Sequence, residues 1–239
     1  MSLHHNPRIV TNQLVFALDA GDVNSYPGSG TTWYDLGGNG TNGTLTNGVS
    51  YSADNKGTLV FDGVNDFVNT TYNSAYNFSN ANFSIEAWFY ANSVAYGTYE
   101  VIVNRASYGS NERSYELFLA YDAANPYLWF GTFNSGWTYV NNSSLTNIQF
   151  GQWYHVVTTS DGAGNGRVYI NSSLRQTNSS FNTAITVTSV PIQVGAYSGG
   201  VGLGGNFNGK IPAVRLYSRA LTASEIEQNY QAQKSRFGL

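Results

Sequence analysis

The stretch Asn206-Phe207-Asn208-Gly209-Lys210-Ile211-Pro212-Ala213-Val214-Arg215-Leu216-Tyr217-Ser218-Arg219-Ala220-Leu221 decides how this chain reads. Its centre alternates with period two, the pattern of a strand with two distinct faces. Ile211, Ala213, Arg215 and Tyr217 point one way, and Lys210, Pro212, Val214 and Leu216 the other. Pro212 has no N–H for a sheet ladder, which predicts an edge position, a strand end or a bulge. Thr222 then reads as a helix N-cap, and Glu225 three residues on completes a capping box. Leu221 before the cap and Ile226 inside the helix form a hydrophobic staple. A strand is thus predicted to turn directly into a helix over about Ala223 to Arg236. Ile226, Tyr230 and Phe237 face the body, and Gly238 is the stop.

Upstream the same period-two signal recurs in short runs. Leu14 to Asp19 reads as the first strand, followed by a long Gly/Asn/Thr loop to Gly48 with Trp33 and Leu36 as its anchors. Gly57 to Asp62 and Asp66 to Val68 are predicted to form a tight hairpin with Gly63 to Asn65 in the turn. In Phe83-Ser84-Ile85-Glu86-Ala87-Trp88-Phe89-Tyr90 the apolar set Phe83, Ile85, Ala87 and Phe89 lies on one face. Further strands are read at 101–105, 115–121, 127–133, 139–140, 153–159, 167–171, 184–187 and 191–197, separated by Asn, Gly and Ser. About a dozen short strands with turn signals between them predict a sandwich or barrel. No internal repeat and no linker-like break divides the 239 residues, so 1–239 reads as one domain. Residues 1–5 read as a leader or flexible start.

Composition narrows the function classes. There is no Cys, so disulfides and thiolate metal sites are excluded. Only 10% of residues are charged and the net charge is −3, which leaves no basic footprint for nucleic acid or anionic lipid. No run approaches the roughly 18 apolar residues of a membrane span. Low charge, abundant Gly and 15% aromatics point to an extracellular β-sandwich.

Several segments, in order, carry a resemblance. Phe61-Asp62-Gly63-Val64-Asn65-Asp66-Phe67-Val68, Phe83-Ser84-Ile85-Glu86-Ala87-Trp88, Gly151-Gln152-Trp153-Tyr154-His155-Val156-Val157 with Arg167-Val168-Tyr169-Ile170-Asn171, and the closing stretch into Ser224-Glu225-Ile226 resemble the laminin-G-like modules of the concanavalin A-like lectin/glucanase superfamily. The resemblance implies an all-β jelly-roll sandwich of two antiparallel sheets, one of them concave, with a short C-terminal helix. The chain end from Gln228 to Leu239 is similar to ends seen in phage virion proteins that carry such a module. This implies a virion or cell-surface setting.

Three chemistries follow for testing. Glucanases of this superfamily carry a Glu-x-Asp-x-Glu type run, and no such run occurs here. The nearest carboxylates are Glu86, Glu112 and Glu116. Glu112 and Glu116 are four residues apart, about 13 Å along a strand, whereas a retaining pair stands about 5–5.5 Å apart. Glu86 is expected on the solvent side of its strand, with a cross-strand pairing to Glu116 left open. His155, in the family's Trp-x-His-Val position, is expected to hydrogen-bond inside the sandwich.

Calcium takes six to eight oxygen ligands. The resemblance implies an acidic residue after the Gly-x-Ile stretch, but Gly209-Lys210-Ile211-Pro212-Ala213 has none. Asp19, Asp22, Asp62 and Asp66 are the remaining candidates for a calcium ion. Asp62 and Asp66 flank a turn, where Asp also bonds the backbone.

Sugars are recognised by aromatic faces together with amide and hydroxyl groups. Tyr96, Tyr99, Tyr108, Trp137 and Tyr139 lie in or beside polar loops, with Asn104, Arg105 and Asn134 near them. Trp88, Trp129 and Trp153 sit at strand positions and are read as structural. The expectation is a non-catalytic carbohydrate-binding module. The alternatives are a structural or protein-interaction domain of a virion and a remote glycosidase.

Overall fold

The computed structural model describes residues 7–95, 98–107, 112–121, 126–141, 148–197 and 205–239. Its strands are β1 (Leu14–Asp19), β2 (Thr32–Trp33), β3 (Gly43–Thr46), β4 (Ser50–Ser52), β5 (Thr58–Asp62), β6 (Phe67–Thr70), β7 (Asn82–Ala91) and β8 (Thr98–Ser107). They continue as β9 (Glu112–Tyr121), β10 (Pro126–Phe133), β11 (Trp137–Asn141), β12 (Trp153–Asp161), β13 (Gly166–Ile170), β14 (Ser173–Asn178), β15 (Gln193–Val194) and β16 (Asn208–Tyr217). One helix follows, α1 (Ala223–Gln233), extended by a 3₁₀ turn at Lys234–Phe237.

The strands form two antiparallel sheets of eight. One runs β14-β13-β12-β7-β16-β5-β4 with β1 also on β16; the other runs β11-β10-β9-β8-β15-β6-β3-β2. The architecture is the all-β two-sheet sandwich expected of a jelly roll. Phe83, Ile85, Ala87 and Phe89 of β7 pack inward against Leu117, Leu119, Leu128 and Phe130 of β9 and β10. The faces read for β7 from its alternation are therefore the observed ones.

The closing strand departs from strict alternation. β16 is central: β7 lies along one side, and the other side is shared by β5 at Asn208–Ile211 and β1 at Ala213–Tyr217. The register against β7 shifts between Lys210 and Ala213, so Pro212 sits in a bulge. Its carbonyl still accepts the Ala20 N–H at 2.8 Å. The extra residue reverses the phase of the strand. Ile211 joins Val214 and Leu216 in the inner core, while Ala213 and Tyr217 face outward. At the start of the strand a side chain on Gly209 would overlap the Tyr90 carbonyl, so glycine is needed for β16 to enter beside β7.

Other expectations are corrected. β5 and β6 are not a hairpin: β5 belongs to the first sheet and β6 to the second, so the turn between them arches across the sandwich. Both strands put their apolar residues into the shared core, which a flat hairpin would prevent. The stretch to Gly48 expected as one long loop contains β2 and β3; within it Trp33 is fully buried, but Leu36 is 42% exposed. Asp35 does the anchoring, accepting the N–H groups of Ala17 at 2.9 Å and Gly37 at 2.7 Å. Residues 184–187 form no strand, and only Gln193–Val194 of 191–197 does.

The helix starts as read. The Thr222 hydroxyl accepts the Glu225 N–H at 3.3 Å and the Glu225 carboxylate accepts the Thr222 N–H at 2.9 Å. Leu221 and Ile226 share one apolar cluster with Val10, Val157, Tyr169 and Tyr217. α1 thus lies on the outer face of the first sheet, together with the segment that precedes β1.

Candidate functional site

The two outer faces of the sandwich have different chemistry. On the first sheet, Glu86 of β7 points outward but is fully buried, because α1 lies over it. Its carboxylate accepts hydrogen bonds from Arg215 Nη1 at 2.8 Å, Asn229 Nδ2 at 2.6 Å, His155 Nε2 at 3.2 Å and Tyr217 Oη at 3.3 Å. Burial by itself raises the carboxyl pKa. The Arg215 charge and the His155 and Asn229 hydrogen bonds outweigh it and hold Glu86 down to about 2. Arg215 also bonds Asp19 at 2.9 Å, and Asp19 in turn holds Arg236 at 2.6 Å and Gln233 at 2.9 Å. Beside this network Trp88 is sandwiched by Phe237, with centroids 4.2 Å apart, and by Tyr230 at 5.9 Å.

Glu86 is therefore not on a solvent face, and His155 is structural but on the outside of the first sheet. Glu116 of β9 lies on the outer face of the second sheet, since its inward neighbours Tyr115 and Leu117 are in the core. With the sheets roughly 10 Å apart, Glu86 and Glu116 cannot flank one glycosidic bond. Glu112 accepts the Ser189 N–H at 3.0 Å and hydroxyl at 2.8 Å.

The candidate metal ligands fall into two separate groups. Asp19 pairs with Ala213 and Asp62 with Asn208, five residues apart along β16. Asp19 is engaged by two arginines, and Asp22 accepts the Asn24 N–H at 2.9 Å. Asp62 accepts the Val64 N–H at 2.8 Å, and Asp66 the Asp62 N–H at 3.0 Å, the turn chemistry open to them from sequence. Among the described residues no three His, Cys, Asp or Glu side chains converge.

The outer face of the second sheet carries a row of rings across four adjacent strands. Tyr99 on β8 meets Phe118 on β9 with centroids 5.1 Å apart, Phe118 meets Trp129 on β10 at 4.8 Å, and Trp129 meets Tyr139 on β11 at 4.3 Å. Tyr139 lies near-parallel to Trp137, 5.6 Å and 17° away, and Trp137 meets Phe133 at 5.4 Å. Tyr197 closes the other end against Tyr99 at 5.9 Å, its hydroxyl donating to Glu116 at 3.1 Å. Tyr99, Trp129, Trp137 and Tyr139 are half-buried, and Phe118 is buried among them. Local sequence makes this possible: a Cβ at Gly131, between Trp129 and Phe133, would press on Tyr139 at 2.8 Å and Trp137 at 3.2 Å. Glycine there lets the β11 rings lie down on β10.

Of the residues singled out from sequence, Tyr99, Trp137 and Tyr139 are brought onto this one face. Asn134 is exposed in the turn that precedes Trp137, where its N–H donates to the Gly136 carbonyl at 2.9 Å. Asn104 and Arg105 are fully buried and engaged with the backbone. The Asn104 amide donates to the Ala196 carbonyl at 2.9 Å, and Arg105 donates to the carbonyls of Val190 at 2.8 Å and Thr188 at 3.2 Å. Tyr96 and Tyr108 lie outside the described residues. Sequence reasoning passed over Trp129 and Phe118 as strand residues. The signal for them was present: Trp129, Gly131 and Phe133 alternate on β10 directly opposite Asn141, Tyr139 and Trp137.

Among the described residues no helix is long and apolar enough to cross a membrane. No curated protein sequence matches the chain. Among solved structures it is similar to domain 4 of AbnA, a GH43 extracellular arabinanase from Geobacillus stearothermophilus, in complex with arabinotriose. That match has a TM-score of 0.69 and 19% identity, over 91% of this chain and 98% of that one. The binding domain of Paraclostridial Mosquitocidal Protein 1 superposes with a TM-score of 0.71 at 20% identity, over 92% of this chain and 52% of that one. The binding domain of botulinum neurotoxin DC, in complex with SialylT, gives 0.68 at 16% identity, over 94% and 52%. The chain thus spans about half the length of these toxin domains, and at such identities the likeness is one of fold. A family model described as the concanavalin A-like lectin/glucanases superfamily matches residues 61–227, from the β5–β6 arch through the first turn of α1. The chain belongs to the concanavalin A-like lectin/glucanase superfamily.

Proposed function

We propose that this domain is a non-catalytic carbohydrate-recognition module that meets its glycan with the ring-bearing outer face of β8–β11. The observation that carries the reading is the row from Tyr99 to Trp137. Half-buried rings on a sheet face offer the flat apolar surfaces against which sugar rings pack, while their hydroxyl and indole groups supply hydrogen bonds. Two of the structural neighbours were solved with glycans, arabinotriose in one and SialylT in the other, which supports the same chemistry here. The non-catalytic part of the reading is supported by the placement of Glu86 and Glu116 on opposite outer faces. An extracellular setting, on a cell or virion surface, fits a chain whose polar surface is largely uncharged.

The test is a glycan array followed by titration calorimetry of the hits, run with calcium and again with a chelator. Saturable binding that weakens on Trp137→Ala is the expected result. The comparison with chelator asks whether the Asp19, Asp22, Asp62 or Asp66 carboxylates add a calcium ion. Absence of saturable binding to any glycan, with a stable oligomer or a specific protein partner in its place, would favour a structural domain of a virion. Release of reducing sugar would favour a glycosidase.

A further inference from the structure

We infer that a single halide-sized anion, chloride in ordinary saline, sits inside the sandwich against Arg105 Nη1, with the hydroxyls of Tyr115 and Tyr76 as its further donors. Arg105 on β8 pairs directly across from Tyr115 on β9, so the two side chains share a face. That face is the inner one, because Tyr115 belongs to the core between the sheets. The guanidinium is fully buried there, and among the described residues it forms no ion pair. The other deeply buried arginine, Arg215, holds two carboxylates, Glu86 and Asp19. A buried charge without a counter-charge is strongly destabilising. Arg105 therefore calls for an anion from outside the described chain.

The hydrogen bonds point the same way. A guanidinium carries five N–H groups and no acceptor. Nε donates to the Val190 carbonyl at 2.8 Å, and Nη2 to the carbonyls of Thr188 at 3.2 Å and Asn73 at 3.5 Å. Nη1 is buried with no partner, and so are the hydroxyl oxygens of Tyr115 and Tyr76. Burial raises the pKa of both phenols and the Arg105 charge works against it at each, which puts the three groups within electrostatic reach of one another. The surplus is one of donors. An anion meets it with every contact, whereas a water brings protons of its own that need acceptors. The way in is short: the Tyr72 ring centre is 5.5 Å from Arg105 Cζ, and Tyr72 is 48% exposed. Asn73 follows β6, and Thr188 and Val190 precede β15, so an anion that steadies the guanidinium also holds both segments to the sheet.

The experiment melts the full chain in sodium gluconate, a salt with a bulky anion, then replaces gluconate by chloride or bromide at constant ionic strength. The melting temperature should rise saturably with either halide, by about 3–6 °C at about ten times the dissociation constant. Tyr115→Phe removes one donor and keeps the ring, and should raise the halide concentration needed by about tenfold. Arg105→Met should abolish the response, and Trp137→Ala on the ring face should leave it whole. Crystals of the parent chain grown in bromide should show an anomalous peak beside Arg105 Nη1, a readout that depends on no variant folding. A melting temperature indifferent to halide overturns the inference, as does a water at Nη1 in the bromide crystals. A halide response that survives in Arg105→Met belongs to the surface and overturns it equally.

Discussion

Glu86 Oε1 lies 2.8 Å from Arg215 Nη1, and both side chains are buried between the first sheet and the terminal helix. Each charge is the nearest counter-charge of the other, with Asp19 as the second anion on Arg215. Glu86→Gln leaves the Arg215 guanidinium without its main counter-charge, and a stability loss of about 3–5 kcal/mol is expected in urea unfolding. Replacing both residues by apolar ones of similar volume should cost less than the two single changes added together.

The same carboxylate sets an acid limit. Its pKa is held down to about 2 in the fold, against an ordinary 4.5. A lowered acid contributes stability that is complete above pH 4.5 and disappears as pH falls toward 2. Unfolding midpoints recorded across this window should fall steeply for the parent chain and more gently for Glu86→Gln.

Glu100 should act in the opposite sense. Burial raises its carboxyl to about 8, against which the Asn208 N–H that it accepts at 3.0 Å works only partly. A raised acid is neutral in the fold, so its penalty is absent below pH 4.5 and grows as pH rises through 8. Glu100→Gln should leave stability at pH 5 nearly unchanged and raise it at pH 9, by on the order of a few kcal/mol. A flat difference between parent and variant across pH would refute this.

Gly131 is the lever on the ring row. Gly131→Val should displace Tyr139 and Trp137, whose atoms lie 2.8 Å and 3.2 Å from a Cβ placed there. Glycan binding is expected to fall about tenfold or more, an effect of about 1.4 kcal/mol, while the melting transition stays cooperative. Retained affinity would move the binding surface elsewhere.

Arg105 separates scaffold from site. It satisfies the carbonyls of Val190 and Thr188 inside the fold. Arg105→Met should therefore cost about 2–4 kcal/mol of stability and leave the affinity of the folded protein for glycan unchanged. A selective loss of affinity would return Arg105 to the binding surface.

Much of the framework could be read from the chain because it is written locally. The Thr222–Glu225 box, the Leu221–Ile226 staple and the two faces of β7 depend on residues a few positions apart, and each is found as read. What escaped depends on partners distant in sequence. Period two places Glu86 outside the sandwich, but only the packing of α1, carrying Asn229, makes that outside an inside. Pro212 announces a break without saying which residues change face. The β5–β6 segment has the composition of a hairpin, and only the partners of each strand reveal an arch. The site was half legible for the same reason. Trp137 and Tyr139 stand beside a polar turn, whereas Trp129 counts as a surface ring only once β10 is laid against β11.

The segment before β1 and the terminal helix are stitched together, Gln228 to the Arg8 carbonyl at 2.7 Å and the Val10 N–H to Asn229 at 2.7 Å. Both lie on the back of the sheet that faces away from the rings. The domain is thus a two-sided tile. The ring-bearing face is left clear of both the segment before β1 and the terminal helix.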